Sequence, residues 1–484
     1  MKLIICSIDV SSPYFFQYFA TFAGAFSILT SGINLGWTSP FLPGLLSPNS
    51  SIPTTNDEGS WCAIAPLLGA PLGALIAALL VDRIGRKKTI LLTAPWVSFC
   101  FIGIAFSQTI WQITGLRFII GSVEGALYTA LPMYVGEISD PKIREFLTST
   151  IAIAAIAGTL FINIIGSFLN IFQSSLICSL VPLVHLVWFL LVPESPYYFI
   201  KKGDFEAAKK SLQMLRAKTD VDDEVDSIAK AVVRQERSRA AGLLDLFTVR
   251  SNRRACLIFV IVCLTNKFSG KNPCMFYTEM IFEEAGSGNL DPTLSVIIYC
   301  SVELLAVTIT TLFVINRFGK RFLLITSSAG CSLSVLVLAT FFFLKDFDFD
   351  TSYIFWLPIT ALVSYNVMFS IGLSFGMVTV LSELFPTNVK AKALCIADTF
   401  SVLMGAIVSK LFQISIDLAG SMAYPFLFFA LCCCLGCFLI VRVMPETKGK
   451  TLEEIQQLLI GQDQYSSELR HRQVAFVNNN AILI

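Results

Sequence analysis

Long apolar runs alternate with short polar segments along almost the whole chain. A helix needs roughly 20 apolar residues to cross the hydrocarbon core of a bilayer. The runs have that length, and they are apolar on all sides, unlike the one-sided pattern of a soluble helix. The sequence therefore predicts twelve membrane-spanning helices. They lie at residues 14–36, 61–81, 89–108, 111–135, 147–168, 174–192, 255–282, 293–315, 321–344, 353–381, 393–416 and 423–443.

One long polar segment divides these spans six and six. The predicted parts are an N-terminal half (1–192), a cytoplasmic helical linker (193–254), a C-terminal half (255–444) and a cytoplasmic tail (445–484). Within the linker, apolar residues recur at helical spacing over residues 204–216, which predicts a helix there. The fold class expected is an all-α membrane protein.

Composition supports this assignment and excludes other classes of protein. Of the 484 residues, 55% are hydrophobic and 14% are charged, and the mean hydropathy is +0.71. Soluble domains carry about 25% charged residues, so a disordered chain, a coiled coil, a nucleic-acid binder and almost any soluble enzyme are excluded. There is no phosphate-binding loop, zinc signature or nucleophile elbow. We therefore expect no enzymatic activity, cofactor, metal or obligatory protein partner. The partners expected are a small-molecule substrate and the lipid bilayer.

The positive charges predict the orientation. If both termini are cytoplasmic, 30 of the 35 Lys and Arg residues lie on the cytoplasmic side and Lys345 alone lies outside; the other four fall within spans. Such asymmetry follows the positive-inside rule. Asn49-Ser50-Ser51 is then a glycosylation sequon in the first outer loop, with Asn49 as the acceptor.

Three charged landmarks recur in both halves, each at the predicted cytoplasmic face. They are Asp82–Lys87 and Asn316–Arg321; Glu137 with Arg144, and Glu383 with Lys390; and Pro193–Pro196 and Pro445–Gly449. Parallel six-helix repeats are a known transporter architecture. Exposed ion pairs contribute only about 0–1 kcal/mol each, which suits a gate that must open thermally. The predicted gate residues are Arg83, Arg86, Glu137, Arg144, Glu194, Arg317, Lys320, Arg321, Glu383, Lys390 and Glu446.

With these motifs, together with Pro132-Met133-Tyr134 and Glu383–Pro386, the chain resembles the sugar porter family of the major facilitator superfamily. Within that family it most resembles the insect facilitated trehalose transporter-like group, through Gly36–Pro40 and Glu58–Trp61. The resemblance covers nearly the whole chain. It implies twelve helices in two six-helix halves, alternating access, and a sugar site at mid-membrane between the halves.

The substrate positions that this resemblance implies are much altered. In span 7 the family's Gln-Gln-Leu-Ser-Gly-Ile-Asn stands here as residues 266–272, Asn-Lys-Phe-Ser-Gly-Lys-Asn. In the other spans, the positions that are polar or aromatic in the substrate site of the family correspond here to Ala152, Leu304, Ser374–Val378, Ser401 and Val402. The gate motifs are thus kept while the substrate motifs are eroded. The substrate-binding candidates are Asn266, Lys267, Asn272, Tyr277 and Ser370.

Charged residues within the spans require partners or water. Each lysine near the centre of a span costs roughly 2.5–3.5 kcal/mol on an insertion scale. One hypothesis is that Lys267 pairs with Glu303; another is that Lys267 and Lys271 extend their amines into the wet outer half. A third is that the two lysines recruit an anionic solute. Asp398, in span 11, is the remaining intramembrane acid near the substrate positions.

Arg117, in span 4, bears on ion coupling. In proton-coupled members of the resembled family, a carboxylate in span 1 works with this arginine. Span 1 of this chain has no Asp or Glu, which favours facilitated diffusion. Glu124, seven residues further on, is expected to be the structural partner of Arg117.

Three functions stay open at this point. The first is a facilitative sugar transporter of the plasma membrane, for a hexose or trehalose. The second is a carrier of another polar or anionic solute that uses Lys267 and Lys271. The third is a sugar-porter-like sensor that does not transport.

Overall fold

A computed structural model describes residues 14–238, 245–286, 291–315, 317–385, 387–448, 450, 454–455 and 458–459. Asn316, Pro386 and Gly449 of the predicted motifs lie outside the described residues, as do the side chain of Lys390 and the tail from residue 460 onward.

Every regular element in that part of the chain is a helix. The N-terminal half contains α1 (Phe15–Gly36), α2 (Thr38–Leu46), α3 (Asn56–Ile84), α4 (Arg86–Ala105), α5 (Ile110–Ile138), α6 (Arg144–Phe168) and α7 (Ile171–Leu190). The linker contains α8 (Pro196–Lys201), α9 (Phe205–Arg216), α10 (Asp222–Ser238) and α11 (Asp245–Thr248). The C-terminal half contains α12 (Arg250–Lys267), α13 (Lys271–Phe276), α14 (Thr278–Ala285), α15 (Pro292–Ile309), α16 (Lys320–Asp346), α17 (Leu357–Ile371), α18 (Leu373–Leu384), α19 (Thr387–Ala419) and α20 (Ala423–Val443).

The all-helical membrane fold predicted from the apolar runs is confirmed. Among the described residues, eleven helical segments are long and apolar enough to cross a membrane. The predicted seventh span is the exception, because it is divided into α12, α13 and α14. Polar caps fix where several spans begin: Thr55 and Glu58 form a capping box at α3, and Thr109 and Gln112 form another at α5.

Two spans of the C-terminal half are broken near their middle. After Lys267 the chain turns through Phe268–Gly270, where Gly270 has φ +88°, a left-handed conformation that glycine adopts without strain. The tenth span is broken at Gly372, between α17 and α18. Such discontinuous helices leave backbone groups free of intrahelical partners, and in transporters they line substrate sites.

Close helix packing holds each half together. In the N-terminal half α3 packs against α5, where a Cβ atom on Gly73 or on Gly125 would overlap a backbone carbonyl of the facing helix. Small residues permit this approach. The two halves meet along α3 with α19 and along α6 with α15.

The linker helices α8 and α9 dock on the N-terminal half, whereas α11 packs against α12 of the C-terminal half. The predicted helix over 204–216 is confirmed as α9. Arg216 Nη1 donates to the Ile138 carbonyl at 2.8 Å, and Gln17 Nε2 donates to the Leu215 carbonyl at 3.1 Å. We call the side of the protein that carries α8–α11 the linker face, and the opposite side the far face.

Candidate functional site

At the linker face, two charged residues of the N-terminal half and Glu194, at the start of the linker, form one network, here called the N-terminal clasp. Arg86 Nη2 donates to Glu137 Oε1 at 2.9 Å. Glu194 accepts from the backbone N–H groups of Arg86 and Lys87, at 3.1 and 3.0 Å. Those groups are the first of α4, so the Glu194 carboxylate satisfies an exposed helix N-terminus and its dipole.

The C-terminal half repeats this arrangement with Lys320, Glu383 and Glu446, the C-terminal clasp. Lys320 forms an ion pair with Glu383. The Glu446 carboxylate lies against Gly319, directly before α16, as the Glu194 carboxylate lies against Gly85, directly before α4. The repeat in the sequence thus recurs in space as an ion pair and a carboxylate beside a glycine in each half.

The other predicted gate residues bond mainly to backbone. Arg144 donates to the Ser139 carbonyl at 3.1 Å, and Arg321 donates to the Val441 carbonyl at 2.6 Å. Arg83 and Arg317 contribute their carbonyls, to Tyr198 and Lys448. All of these contacts stay within one half. The expectation that the charges lock this face between the halves therefore does not describe this conformation: each clasp ties together helices of its own half.

The halves are joined instead at the far face, by contacts that we call the far-face bridge. Lys410 of α19 has its Nζ 2.6 Å from Asp57 Oδ1 and 2.5 Å from Ser60 Oγ, and it lies 4.7 Å from the ring centroid of Trp61. Lys410 falls within the predicted span 393–416, and no pattern in the sequence predicted its partner. A lysine near the end of one span and an acid at the start of another were the available signals.

Tyr277 lies where the C-terminal half meets the N-terminal half. Its side chain is buried, and its ring is 5.5 Å from that of Phe412. Its hydroxyl has no hydrogen-bond partner among the described residues, and Arg117 and Cys62 of the N-terminal half lie within electrostatic range of it. This candidate for substrate binding therefore takes part in the contact between the halves.

At mid-membrane, side chains from three broken or adjacent helices converge in what we call the Lys267 cluster. Lys267, at the end of α12, lies within electrostatic range of Asp398 of α19. Cys263, one turn before it, interacts with Ser401, whose hydroxyl is 3.5 Å from Met377 Sδ. Lys267 is half-buried and Asp398 is exposed. The cluster thus brings together substrate positions that the resemblance assigned to spans 7, 10 and 11.

The two helix breaks lie side by side next to this cluster. Asn266 Nδ2 donates to the Leu373 carbonyl at 2.8 Å, directly after the break at Gly372. The Nδ2 group of Asn266 is therefore occupied by a main-chain carbonyl of α18. Ser370 is also buried, and donates to the Asn366 carbonyl at 2.8 Å. Asn272 is half-buried against Gly405 of α19.

Behind the breaks, the interior of the C-terminal half holds a charged triad. Lys271 Nζ is 2.6 Å from Glu303 Oε1 and 2.9 Å from Asn366 Oδ1. Asn366 Nδ2 is 3.3 Å from Glu303 Oε2. The hypothesis that Glu303 pairs with Lys267 is therefore wrong, because the turn at Gly270 redirects α13 and brings Lys271 to α15 instead. Lys271 is half-buried, and its amine is held by Glu303 and Asn366 rather than extended into water.

Arg117 is fully buried and tied to α1. Its Nη2 donates to the Asn34 carbonyl at 2.7 Å, its Nε lies 3.4 Å from Asn34 Oδ1, and its guanidinium lies 5.1 Å from the ring of Trp37. Glu124, the expected partner, attracts Arg117 electrostatically. The acceptor of these hydrogen bonds is Asn34, which the sequence did not single out for this role.

The chain is similar in sequence and in structure to known sugar transporters. The family model "Sugar (and other) transporter" matches residues 14–459. The facilitated trehalose transporter Tret1 of Polypedilum vanderplanki is 32% identical over 92% of this chain and 88% of its own length. Trehalose transporter 1 of Drosophila melanogaster is 31% identical over 92% of this chain, which spans 52% of that relative's length.

Among solved structures, an inward-open conformation of the xylose transporter XylE from E. coli superposes with a TM-score of 0.75. It is 20% identical and covers 91% of this chain and 99% of its own. A second XylE structure, described as a major facilitator superfamily protein, superposes with a TM-score of 0.73 at 21% identity. The fold is therefore that of the major facilitator superfamily, and the chain belongs to the sugar (and other) transporter family.

Proposed function

We propose that the protein is a facilitative sugar carrier of the plasma membrane that works by alternating access, with trehalose or a hexose as substrate. The names of the relatives support the substrate class. The observation that carries the proposal is the Asn266–Leu373 hydrogen bond, which joins two helix breaks at mid-membrane beside the Lys267 cluster. Substrate sites of secondary transporters lie at such breaks.

The proposed orientation has both termini and the linker face in the cytoplasm, as the distribution of Lys and Arg favours. The far face is then extracellular, and the far-face bridge closes it. The two clasps at the opposite face each stay within one half. This arrangement supports an inward-facing state, in which sugar exchanges with the cytoplasm.

The Lys267 cluster suits a neutral polyhydroxyl substrate. The ammonium group of Lys267 donates hydrogen bonds and the carboxylate of Asp398 accepts them, so the pair can bind two adjacent sugar hydroxyls without a net charge. Asn272, on the neighbouring half-helix, offers a donor and an acceptor. We propose these three residues as the substrate contacts.

The same pairing counts against an anion carrier. An anionic substrate needs uncompensated positive charge in the cavity. The Asp398 carboxylate lies within electrostatic range of Lys267, and Lys271 is paired with Glu303. Uniport rather than proton symport is supported by α1, where Arg117 meets the neutral amide of Asn34 instead of a carboxylate.

The test is counterflow in proteoliposomes, with labelled trehalose and labelled glucose measured separately and no pH gradient. We expect saturable exchange of at least one sugar. Lys267→Met, Asp398→Asn and Asn272→Ala should each lower kcat/KM at least tenfold, which corresponds to about 1.4 kcal/mol of lost binding to the transition state. Lys345→Met is the matched control, because Lys345 pairs with Glu284 at the far face, remote from the cluster.

The absence of flux for both sugars, from protein that is folded and monodisperse, would overturn the proposal. An organic-anion panel would then separate the remaining functions. Anion exchange that Lys267→Met abolishes would identify an anion carrier, and substrate-dependent stabilisation without any flux would identify a sensor.

A further inference from the structure

The N-terminal half contains a small cavity within its own bundle, apart from the Lys267 cluster and lined by both apolar and polar side chains. This cavity lies between α1, α4, α5 and α7, and its polar lining comprises Ser27, Thr30, Ser31, Thr93, Glu124 and His185. It has about 10 Å³ of space for the centre of a water molecule, which is room for one.

Two of the lining groups are buried acceptors without a protein partner. His185 Nδ1 is 2.8 Å from the Ala23 carbonyl, so Nδ1 carries the proton and donates it, and Nε2 is left as an acceptor. His185 Nε2 and Glu124 Oε1 have no hydrogen-bond partner in the described part of the chain. Their residues are 0% and 5% exposed.

The hydroxyl groups around the cavity add further acceptors. Ser27, Thr30 and Thr93 donate their protons to carbonyls of their own helices, at 2.6, 3.0 and 2.6 Å. Their lone pairs stay available to the cavity. The cavity wall therefore presents several hydrogen-bond acceptors, and buried acceptors need a donor as partner.

We infer that this cavity binds one water molecule, which donates one proton to Glu124 Oε1 and the other to His185 Nε2. Water supplies two donors in the available volume. A metal cation would instead add a second positive charge beside Arg117, which is fully buried and already drawn to Glu124. The bound water links α5 to α7 and satisfies the buried oxygen of Glu124 and the buried nitrogen of His185.

Radiolytic labelling of the full-length protein with hydroxyl radicals in ¹⁸O-water tests this inference. Radicals form from the bound water itself, so a buried side chain beside it is labelled although bulk solvent does not reach it. We expect His185 to take up ¹⁸O at least tenfold faster than Tyr134 and Phe101. Those two rings are also 0% exposed and react readily with radicals, but they do not line the cavity.

A filling variant and a change of salt identify the occupant. Ala94→Val places two methyl groups in the cavity wall, and should reduce labelling of His185 to the level of Tyr134. Ala154→Val, on α6 outside the cavity, should leave it unchanged. Labelling should be the same in sodium chloride and in choline chloride.

Two results would overturn the inference. Labelling of wild-type His185 no faster than Tyr134 would show a dry cavity. Labelling that rises only when sodium is removed would show that a sodium ion holds the site. The wild-type comparison stands even if Ala94→Val fails to fold.

Discussion

Removing the charge of Lys410 should open the far face. Lys410 contacts three groups of the N-terminal half across the boundary between the halves: the Asp57 carboxylate, the Ser60 hydroxyl and the Trp61 ring. A methionine at this position keeps most of the side-chain volume and loses all three polar contacts. Lys410→Met should therefore destabilise the state closed at the far face relative to the state open there.

The magnitude follows from the exposure of the partners. The Asp57 side chain is 69% exposed, so solvent screens the ion pair, which contributes at most about 1 kcal/mol. The Trp61 ring adds about 0.5–1 kcal/mol, and a hydrogen bond to a charged group about 1.5 kcal/mol. Such terms are not additive, and water replaces part of them when the face opens. We expect a net loss of about 1–2 kcal/mol, which shifts the equilibrium about 5- to 30-fold.

The assay measures access to the cavity from outside. Asn272→Cys serves as the reporter, and its modification by a membrane-impermeant thiol reagent is followed by mass spectrometry of that peptide. Lys410→Met should speed modification about 5- to 30-fold, and Asp57→Asn should act in the same direction. Lys345→Met removes a lysine from the same face, but one whose partner Glu284 is in the same half, and should have no effect. A rate for Lys410→Met within twofold of that control would refute the reasoning.

Three further predictions concern the C-terminal half and the first loop of the far face. Lys271→Met removes the cation that pairs with the buried carboxylate of Glu303, and should lower the free energy of unfolding by about 3–5 kcal/mol in thermal unfolding. The double reversal Lys271→Glu/Glu303→Lys should recover part of that stability. A double reversal no more stable than Glu303→Lys alone would contradict the Lys271–Glu303 ion pair. Gly270→Ala places a Cβ 2.5 Å from the buried ring of Phe429, in addition to the strain of a left-handed backbone conformation. It should therefore lower the melting temperature more than Gly286→Ala, where φ is +66° and the surroundings are open. Equal effects of the two substitutions would contradict a role for the Phe429 ring. Asn49→Gln should abolish an endoglycosidase-sensitive mobility shift of protein from eukaryotic cells, and wild-type protein without such a shift would contradict glycosylation.

The helices follow from the sequence because their length is set by the bilayer. Apolar runs of about 20 residues predicted each span, and the structure lengthens several of them at polar ends; the span predicted at 61–81 is Asn56–Ile84, which begins at a capping box. The first predicted span stopped at residue 36, whereas helix resumes at once as α2. Element boundaries depend on local caps that periodicity does not register.

The site could be predicted only in part, because its contacts depend on how separate helices are oriented. The candidates in span 7 were identified, but the pairing of Lys271 depends on the direction in which the chain leaves the turn at Gly270. The partners Lys410 and Asp57 are 353 residues apart in the chain. No local pattern encodes such a contact. Residue type predicted that each buried lysine needs a partner, and the tertiary structure decides which one it takes.

The Lys410–Asp57 pair joins the two halves, whereas the Lys271–Glu303 pair lies inside one half, and this difference fits parts that move apart and parts that stay together. A carrier that alternates must break every contact between its halves at one face in each cycle, so those contacts have to be weak. Lys410 meets Asp57, whose side chain is 69% exposed, and this pair can separate because water replaces it. Lys271 meets Glu303, whose side chain is 8% exposed, inside one half, where separation would strand two charges in the membrane. We therefore expect the first pair to set the rate of opening and the second to persist throughout the cycle.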